Sequence, residues 1–232
     1  MNEFFSKVVE LFSTPEYIDA LLNGFLLTLQ ISFYAIVIGV LLGTVIALVQ
    51  TAKPSKWLVV PKFICSVYVT IIRGTPMALQ LFIMFFIIFA IRGFPELVTA
   101  VIAFGLNSAA YTSEVIRGGI LSVDPGQKEA GMALGLSNAT VFMRIVAPQA
   151  VKNIIPALGN EITTVVKETA IVSMIGMYDL NMAAKDIGSG QNMSSYVVPM
   201  FVAALFYLAT VYLISFVVKR IEKRLRESDR RA

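Results

Sequence analysis

The sequence predicts an all-α membrane protein with five transmembrane helices, organised as a single domain over residues 1–232. Of the 232 residues, 57% are hydrophobic and only 15% are charged, and the mean hydropathy is +0.77. Apolar segments of about 20 residues, enough for a helix to cross a bilayer, recur along the chain. A soluble domain of this size carries more charge, so a soluble fold is excluded.

The chain begins with a short amphipathic segment, 1–19, which is expected to lie at a membrane interface. Residues 20–52 carry no charge and form the first predicted span, with excess length for tilt. Within this span, Gly39 and Gly43 form a G-x-x-x-G pair. Such a pair permits close helix packing, but it also arises by chance because glycine is common in membrane helices.

The second span is irregular. Uncharged residues 63–72 are followed by Arg73-Gly74-Thr75-Pro76 and then by apolar or weakly polar residues 77–91. Proline disfavours helix at the residue before it and lacks an amide hydrogen. We therefore expect the helix to break at 73–76 and to leave backbone N–H groups free there.

The remaining spans are predicted at 97–120, 151–178 and 197–218, with a polar loop at 179–196. If the polar segment 122–150 lies in the cytosol, 14 Lys and Arg residues lie inside and three outside. The positive-inside rule then predicts an outer N-terminus and an inner C-terminus. The isoelectric point near 9.2 does not indicate nucleic-acid binding, because the basic residues lie at the membrane edges.

The cytosolic segment 122–150 is predicted to form two short helices joined by a glycine corner. Asp124 is placed to cap the first helix, as the first residue of an Asp-x-x-Gln capping box. Gly135 is placed to end that helix in a left-handed conformation, and Ser137 to cap a second helix that runs to about Pro148. A compact, capped module in a cytosolic loop is typical of a docking element.

Part of this segment resembles the EAA loop of ABC importer permeases, in which E-A-A is followed by a spaced glycine and then by I-x-L-P. The matching residues are Glu129, Ala130, Gly131, Gly135, Ile145 and Pro148. Gly131 stands where the pattern has its second alanine, and Ala147 stands where it has leucine. The resemblance implies that these matching residues, with Gln127, couple the chain to an ATPase subunit.

Three further segments resemble the polar amino-acid permeases within the ABC importers: 69–82, 106–120 and 160–176. The resemblance implies a five-span type I importer fold in the bacterial cytoplasmic (inner) membrane, paired with a second permease chain as a homodimer or heterodimer. It also implies ABC ATPase subunits that carry ATP and Mg²⁺, and an extracytoplasmic amino-acid-binding protein. The chain itself is then not an enzyme, and no catalytic residue, cofactor or metal site is expected in it.

Polar residues inside the spans are the candidates for substrate binding, because ionisable side chains are costly in a bilayer and usually have a function or a partner. Glu161, near the middle of its span, suits an ammonium group or a cationic side chain. Arg73 and Thr70 share a helix face and, with free amides near Thr75, suit a substrate α-carboxylate. The remaining candidates are Gln80, Asn107, Ser108 and Tyr111.

Each candidate also has a structural interpretation. Glu161 can bond a neighbouring helix, Arg73 can reach the outer headgroups, and the stripe of Asn107, Ser108 and Tyr111 can hydrogen-bond across helices. Glu114 and Arg117, at i and i+3, are expected to neutralise one another.

The sequence therefore predicts the permease subunit of an ATP-driven importer for polar amino acids, with basic ones favoured, working by alternating access. Because the chain has no G-x-x-x-x-G-K-[ST] sequence, ATP hydrolysis is assigned to a separate subunit. Two alternatives stay open. An ion-coupled secondary amino-acid transporter does not explain the docking loop, and a non-transporting scaffold does not explain Glu161 or the broken second span.

Overall fold

The computed structural model describes residues 2–190, 193 and 195–227, and this part of the chain is almost entirely helical. Its α-helices are α1 (Asn2–Ser13), α2 (Pro15–Thr51), α3 (Val59–Arg73), α4 (Met77–Ile83), α5 (Glu96–Leu121), α6 (Pro125–Ala133), α7 (Asn138–Val141), α8 (Ala147–Glu168), α9 (Leu180–Ser189) and α10 (Val197–Glu227). Short 3₁₀ segments lie at Lys56–Leu58 and Thr169–Ile175, and π segments at Met84–Ile88 and Phe142–Val146.

Two helices among the described residues, α2 and α10, are long and apolar enough to cross a membrane. A third span is obtained if Lys56–Arg73 and Met77–Ile88, which are bent at the short break between them, count as one. α5 and α8 have 26 and 22 residues, which at about 1.5 Å per residue is long enough to cross a bilayer, but they do not pass the same test. The number of five spans therefore stays a prediction.

The break predicted in the second span is confirmed, because α3 ends at Arg73 and three residues separate it from α4. The prediction of free amides is wrong for Gly74, whose N–H donates to the Thr70 carbonyl over 3.0 Å. The Thr75 hydroxyl also donates to the Ile71 carbonyl, over 2.9 Å. The turn thus keeps the last hydrogen bonds of α3, since backbone polar groups away from water need partners.

The segment 179–196, predicted as a loop, contains the helix α9. The Asp179 side chain caps it by accepting a hydrogen bond from the Met182 N–H over 2.9 Å. The apolar residues Leu180, Ala184 and Ile187 are buried on one face of α9. Polar residues between these positions hide the helical spacing of the apolar ones, which is why the composition alone pointed to a loop.

Two helix boundaries also differ from the prediction. α2 begins at Pro15, before the uncharged stretch, because proline suits the first helical position and Glu16 suits the first turn. Pro148 does not end a helix in the docking loop. It lies near the start of α8, directly after the π segment Phe142–Val146, and the loop continues into that helix without a break.

The chain divides into two compact units, and α2, α5, α8 and α10 contribute to both. Unit 1 is Met1–Ala35, Met77–Phe104 and Thr163–Leu213, and unit 2 is Ile36–Pro76, Gly105–Ile162 and Ile214–Ala232. In unit 1, Leu11 of α1 and Leu21 of α2 share an apolar core with the buried face of α9 and with Val198 of α10.

The core of unit 2 joins the ends of the long helices to the docking loop. Ala47 of α2, Ile116 of α5, Val141 of α7 and Ile154 of α8 belong to one cluster of buried side chains. A cluster of this kind is close-packed, so displacement of the loop displaces the helix ends with it.

The G-x-x-x-G pair packs α2 against α5 within unit 2. A Cβ on Gly39 would lie 2.7 Å from the Ser108 Cβ, and a Cβ on Gly43 would lie 2.9 Å from the Ala109 carbonyl oxygen. Both distances are shorter than real Cβ contacts, so any side chain here forces the helices apart. Close packing, not chance, is therefore the correct interpretation of the pair.

Candidate functional site

An ionic cluster in unit 2 joins the end of α3 to α5. Arg117 donates to both carboxylate oxygens of Glu114, from Nε over 2.9 Å and from Nη2 over 2.8 Å. Arg73 Nη1 lies 3.4 Å from the same carboxylate, and its guanidinium lies 5.3 Å from the centroid of the Tyr111 ring. The predicted Glu114–Arg117 pair is thus confirmed, and Arg73 joins it with a cation–π contact.

The cluster lines a cavity of about 480 Å³ that also contains Thr70 and the Lys62 ammonium. The Arg73 and Glu114 side chains are 43% and 23% exposed, so the cluster is reachable from the cavity. Arg73 and Arg117 contact the Glu114 carboxylate, whereas the Lys62 ammonium donates to the Ala52 carbonyl. The lining therefore carries three cationic side chains and one carboxylate, and the excess positive charge suits an anionic group of a ligand. The remaining lining residues are Gln50, Ser66, Val69 and Arg117.

Gln50, which also lines the cavity, carries an acceptor atom without a partner among the described residues. The Gln50 Oε1 atom is buried and has no hydrogen-bond donor within the part of the chain that the structure describes. A buried amide oxygen without a donor is costly, and it is satisfied by a water molecule or by a ligand N–H group.

The other predicted substrate residues lie elsewhere. Ser108 is buried against Gly39, and Asn107 is buried beside it in α5. Gln80 lies in α4 of unit 1, and Glu161 is half-buried in α8 of unit 2. Neither Gln80 nor Glu161 lines the cavity of the ionic cluster.

The docking loop is capped as predicted. Asp124 Oδ1 accepts from the Gly126 N–H over 2.7 Å at the start of α6, and Ser137 Oγ accepts from the Thr140 N–H over 3.2 Å at the start of α7. Between them, Gly135 has a φ of +80°, the left-handed conformation that glycine adopts without strain.

The corner is a Schellman motif. The Gly135 N–H donates to the Met132 carbonyl over 2.9 Å, and the Leu136 N–H donates to the Gly131 carbonyl over 3.2 Å. These two bonds satisfy carbonyls that the end of α6 would otherwise leave without partners. The geometry of the corner is therefore set by the backbone of residues 131–136.

Gly131, the departure from the E-A-A pattern, has a packing role. A Cβ at this position would lie 2.9 Å from the side chains of both Val141 and Ile145. The glycine therefore lets α6 touch the helix that follows it, and this contact holds the two arms of the loop together.

The opposite face of the loop is open. Gln127, Glu129 and Ala130 are exposed, and the Leu134 side chain is 82% exposed. Met132 and Leu136 are 40% and 39% exposed. Because exposed apolar residues grouped with charges are characteristic of interaction sites, this face suits a protein partner.

Comparison with known proteins identifies the family. Residues 35–227 match the family described as binding-protein-dependent transport system inner membrane component. The chain belongs to this family. It is 38% identical over 221 residues to the arginine transport system permease protein ArtQ of Bacillus subtilis (strain 168), an alignment that covers 94% of this chain and 97% of that protein.

Two further comparisons agree. The chain is 41% identical over 207 residues to the putative glutamine transport system permease protein GlnP of Rickettsia felis, covering 88% of this chain and 92% of that protein. A solved structure titled "Crystal structure of an amino acid ABC transporter with histidines" matches with a TM-score of 0.82 and 37% identity, over 92% of this chain and 98% of that chain. This protein is therefore a multi-pass, inner-membrane permease subunit of an amino-acid ABC transporter, with the type I importer fold.

Sequence reasoning missed part of the cavity of this permease. Lys62 was not singled out as a site residue, and the ionic pair of Glu114 and Arg117 was treated as separate from Arg73. Gln50 was not singled out, although a polar residue at the end of a long uncharged span is a usable signal. The structure brings these residues together in one cavity with Arg73 and Thr70.

Proposed function

We propose that this permease imports amino acids with a cationic side chain by alternating access, driven by ATP and Mg²⁺ bound to separate ABC ATPase subunits. An extracytoplasmic amino-acid-binding protein delivers the substrate to two permease chains, either two copies of this one or this one and a related one. The N-terminus lies outside and the C-terminus inside, as the basic residues require. The observation that carries the proposal is the ionic cluster of Arg73, Glu114 and Arg117 in its cavity.

Every amino acid presents a carboxylate and an ammonium group, and the cavity offers a partner for each. Arg73 is tethered by Glu114 and Tyr111, so its guanidinium is held in place to receive the α-carboxylate. Gln50, whose Oε1 has no donor among the described residues, is the lining residue assigned to the α-ammonium. A volume of about 480 Å³ accommodates one small substrate.

The preference for a cationic side chain rests on Glu161. Glu114 already holds two guanidinium groups, so it is not the carboxylate that receives a third cation. Glu161, in the part of α8 that belongs to unit 2, does not line this cavity, so its assignment to the side chain of the substrate rests on its place near the middle of the predicted span. The relative named for arginine supports this assignment, whereas the relative named for glutamine supports a neutral substrate.

Coupling to ATP hydrolysis is assigned to the docking loop. The residues with this role are Gln127, Glu129, Ala130, Gly131, Gly135, Ile145 and Pro148. The exposed face of α6 meets the ATPase, while Gly131 and Ile145 tie α6 to the core shared with α2, α5 and α8. A push on α6 is therefore transmitted to the cytosolic ends of the spans, because a close-packed core moves as a unit.

The test is uptake of arginine and of glutamine by proteoliposomes that contain the complete transporter, with ATP inside. We expect ATP-dependent arginine uptake that Glu161→Gln abolishes or weakens strongly, since removing the partner of a buried cation costs about 2–5 kcal/mol. The matched control is Glu168→Gln, which removes the other carboxylate of α8 and should leave arginine uptake intact.

Two results would contradict the proposal. Wild-type arginine uptake by the Glu161→Gln protein at limiting substrate removes Glu161 as the cation partner. Uptake that needs an ion gradient and no ATP favours an ion-coupled secondary transporter instead.

A further inference from the structure

Unit 2 contains a second cavity, of about 450 Å³, between the ends of α2 and α5 and the corner formed by α6 and α7. Its walls are mainly apolar, and Leu48 of α2, Leu121 of α5 and Phe142 after α7 are among them. It shares no lining residue with the cavity of the ionic cluster, so it is a separate site.

Two lysines give the lining of this cavity a net positive charge. Lys53 and Lys128 both line it, and neither has an ion pair or hydrogen bond within the described residues. The third charged lining residue is Asp124, whose Oδ1 accepts from the Gly126 N–H over 2.7 Å and caps α6. Two ammonium groups therefore stay available to a ligand, and they favour an anion.

The cavity lies at the level where the spans end. α2 ends at Thr51 and α5 at Leu121, and residues of both ends line the cavity. The chain that follows α2 carries Lys56 and then Trp57, which is 90% exposed. Exposed tryptophan and lysine beside apolar helix ends are typical of the membrane–water interface, where phospholipid headgroups lie.

The lining selects among possible ligands. A free amino acid or nucleotide would set polar groups against Leu48, Leu121 and Phe142, which costs free energy unless those groups find partners. A molecule with an apolar chain and an anionic head can pack its chain against the apolar walls and place its head near the two lysines. We propose that this cavity binds an anionic phospholipid of the inner leaflet, with its phosphate between Lys53 and Lys128 and the upper part of an acyl chain against the apolar walls.

This inference rests on the proposed orientation, with the docking loop at the cytosolic surface, and on nothing concerning the substrate. Its consequence is that one lipid contacts both α6 and the ends of α2 and α5. The lipid then stabilises the docking loop against the spans, and anionic lipid content affects how firmly that loop is held.

The test is lipid binding to the full-length permease, purified with its partner subunits, stripped of lipid in detergent and titrated with phosphatidylglycerol or phosphatidylcholine. Bound lipid is counted by native mass spectrometry. We expect wild-type protein to bind phosphatidylglycerol in preference to phosphatidylcholine. The double variant Lys53→Gln/Lys128→Gln should bind phosphatidylglycerol roughly thirtyfold more weakly, which is about 2 kcal/mol at about 1.4 kcal/mol per tenfold.

The matched control is Lys56→Gln/Arg144→Gln, which removes the same charge from the same two segments at positions that do not line the cavity. This control should bind phosphatidylglycerol as the wild type does. Leu121→Trp, at a lining residue that is 61% exposed, should also lower binding by filling the cavity while both lysines are retained.

Three results would overturn the inference. They are equal binding of the two lipids by wild type, an equal loss in the control variant, and unchanged phosphatidylglycerol binding in Lys53→Gln/Lys128→Gln with loss of the ATPase subunits. The last result would assign the lysines to the ATPase contact. Because binding is measured without transport, a failure of the proposed substrate or energy source leaves this measurement unaffected.

Discussion

Asp179 offers a quantitative test of the structure, through the pH dependence of stability. The residue lies outside the predicted spans, at the start of α9, and it is completely buried. One carboxylate oxygen caps α9, whereas Oδ2 is buried and has no hydrogen-bond partner among the residues described. Burial raises the pKa of the Asp179 carboxyl from 3.8 to about 6, although the α9 amides and Lys185 act in the opposite direction.

The side chains around Asp179 include three hydroxyl groups. The Tyr207 hydroxyl lies close to Asp179, Thr28 and Thr169. The Thr28 hydroxyl, however, already donates to the Gly24 carbonyl, and the Thr169 hydroxyl donates to the Val166 carbonyl in the last turn of α8. The Tyr207 hydroxyl is the one of these three that has no hydrogen-bond partner among the described residues. The physical reason that protonation of Asp179 is favoured is the burial of its carboxylate away from water.

The rise in the Asp179 pKa from 3.8 to about 6 corresponds to about 3 kcal/mol. Because the folded state binds the Asp179 proton more tightly than the unfolded state, this contribution is fully present below about pH 4. It is lost as the pH rises through about 6. At roughly 2–4 °C per kcal/mol, the change in Tm is about 6–12 °C.

The perturbation is Asp179→Asn. Asparagine keeps the N-cap through its Oδ1 and places an N–H donor where Oδ2 lies, so it imitates the protonated acid at every pH. We expect the variant to match wild type below about pH 4 and to exceed its Tm near pH 7.5. The assay is thermal unfolding of the detergent-purified protein across this range, with the exposed Asp19→Asn as control. An identical pH dependence in wild type and Asp179→Asn would refute the reasoning.

Three further predictions concern packing, the corner and the ionic cluster. Gly39→Val should lower the free energy of unfolding by about 1–3 kcal/mol, because the new side chain meets Ser108. Gly118→Val is the control, since a Cβ there has open space and should cost less; thermal unfolding compares the two variants. Gly135→Val should leave the permease inserted but reduce co-purification of the ATPase or uncouple hydrolysis from uptake, since a side chain at φ +80° is strained; unchanged co-purification and uptake would contradict this role. Glu114→Gln should weaken uptake while the complex still assembles, because Arg73 and Arg117 lose the carboxylate that positions them; wild-type transport kinetics would show the cluster to be dispensable.

Local chemistry made several features predictable from the sequence. The caps at Asp124 and Ser137, the left-handed Gly135 and the break after Arg73 each depend on residues within a few positions of one another. The same is true of the Glu114–Arg117 pair, which lies on one helix face. The relationship to ABC importer permeases was also readable, because its motifs are short and contiguous.

Other features depend on residues that are distant in the chain, and only the tertiary structure decided them. Arg73 was expected to bind a substrate carboxylate or lipid headgroups, but in the folded chain it forms an ion pair with Glu114. The identity of α9 as a helix depends on the core that covers its apolar face, and the G-x-x-x-G pair has meaning only because Ser108 faces Gly39.

The same reason applies to the two cavities. Gln50 and Lys62 line the cavity of the ionic cluster, and Lys53 and Lys128 line the apolar cavity beside the docking loop. Both cavities form because helix ends that are far apart in sequence meet in unit 2. Caps, turns and helix breaks depend on interactions between residues that are neighbours in the chain. The sequence lists those neighbours directly. Burial, ion pairing across helices and cavity shape depend on which helix surfaces pack against one another and exclude water. That packing involves residues from distant parts of the sequence.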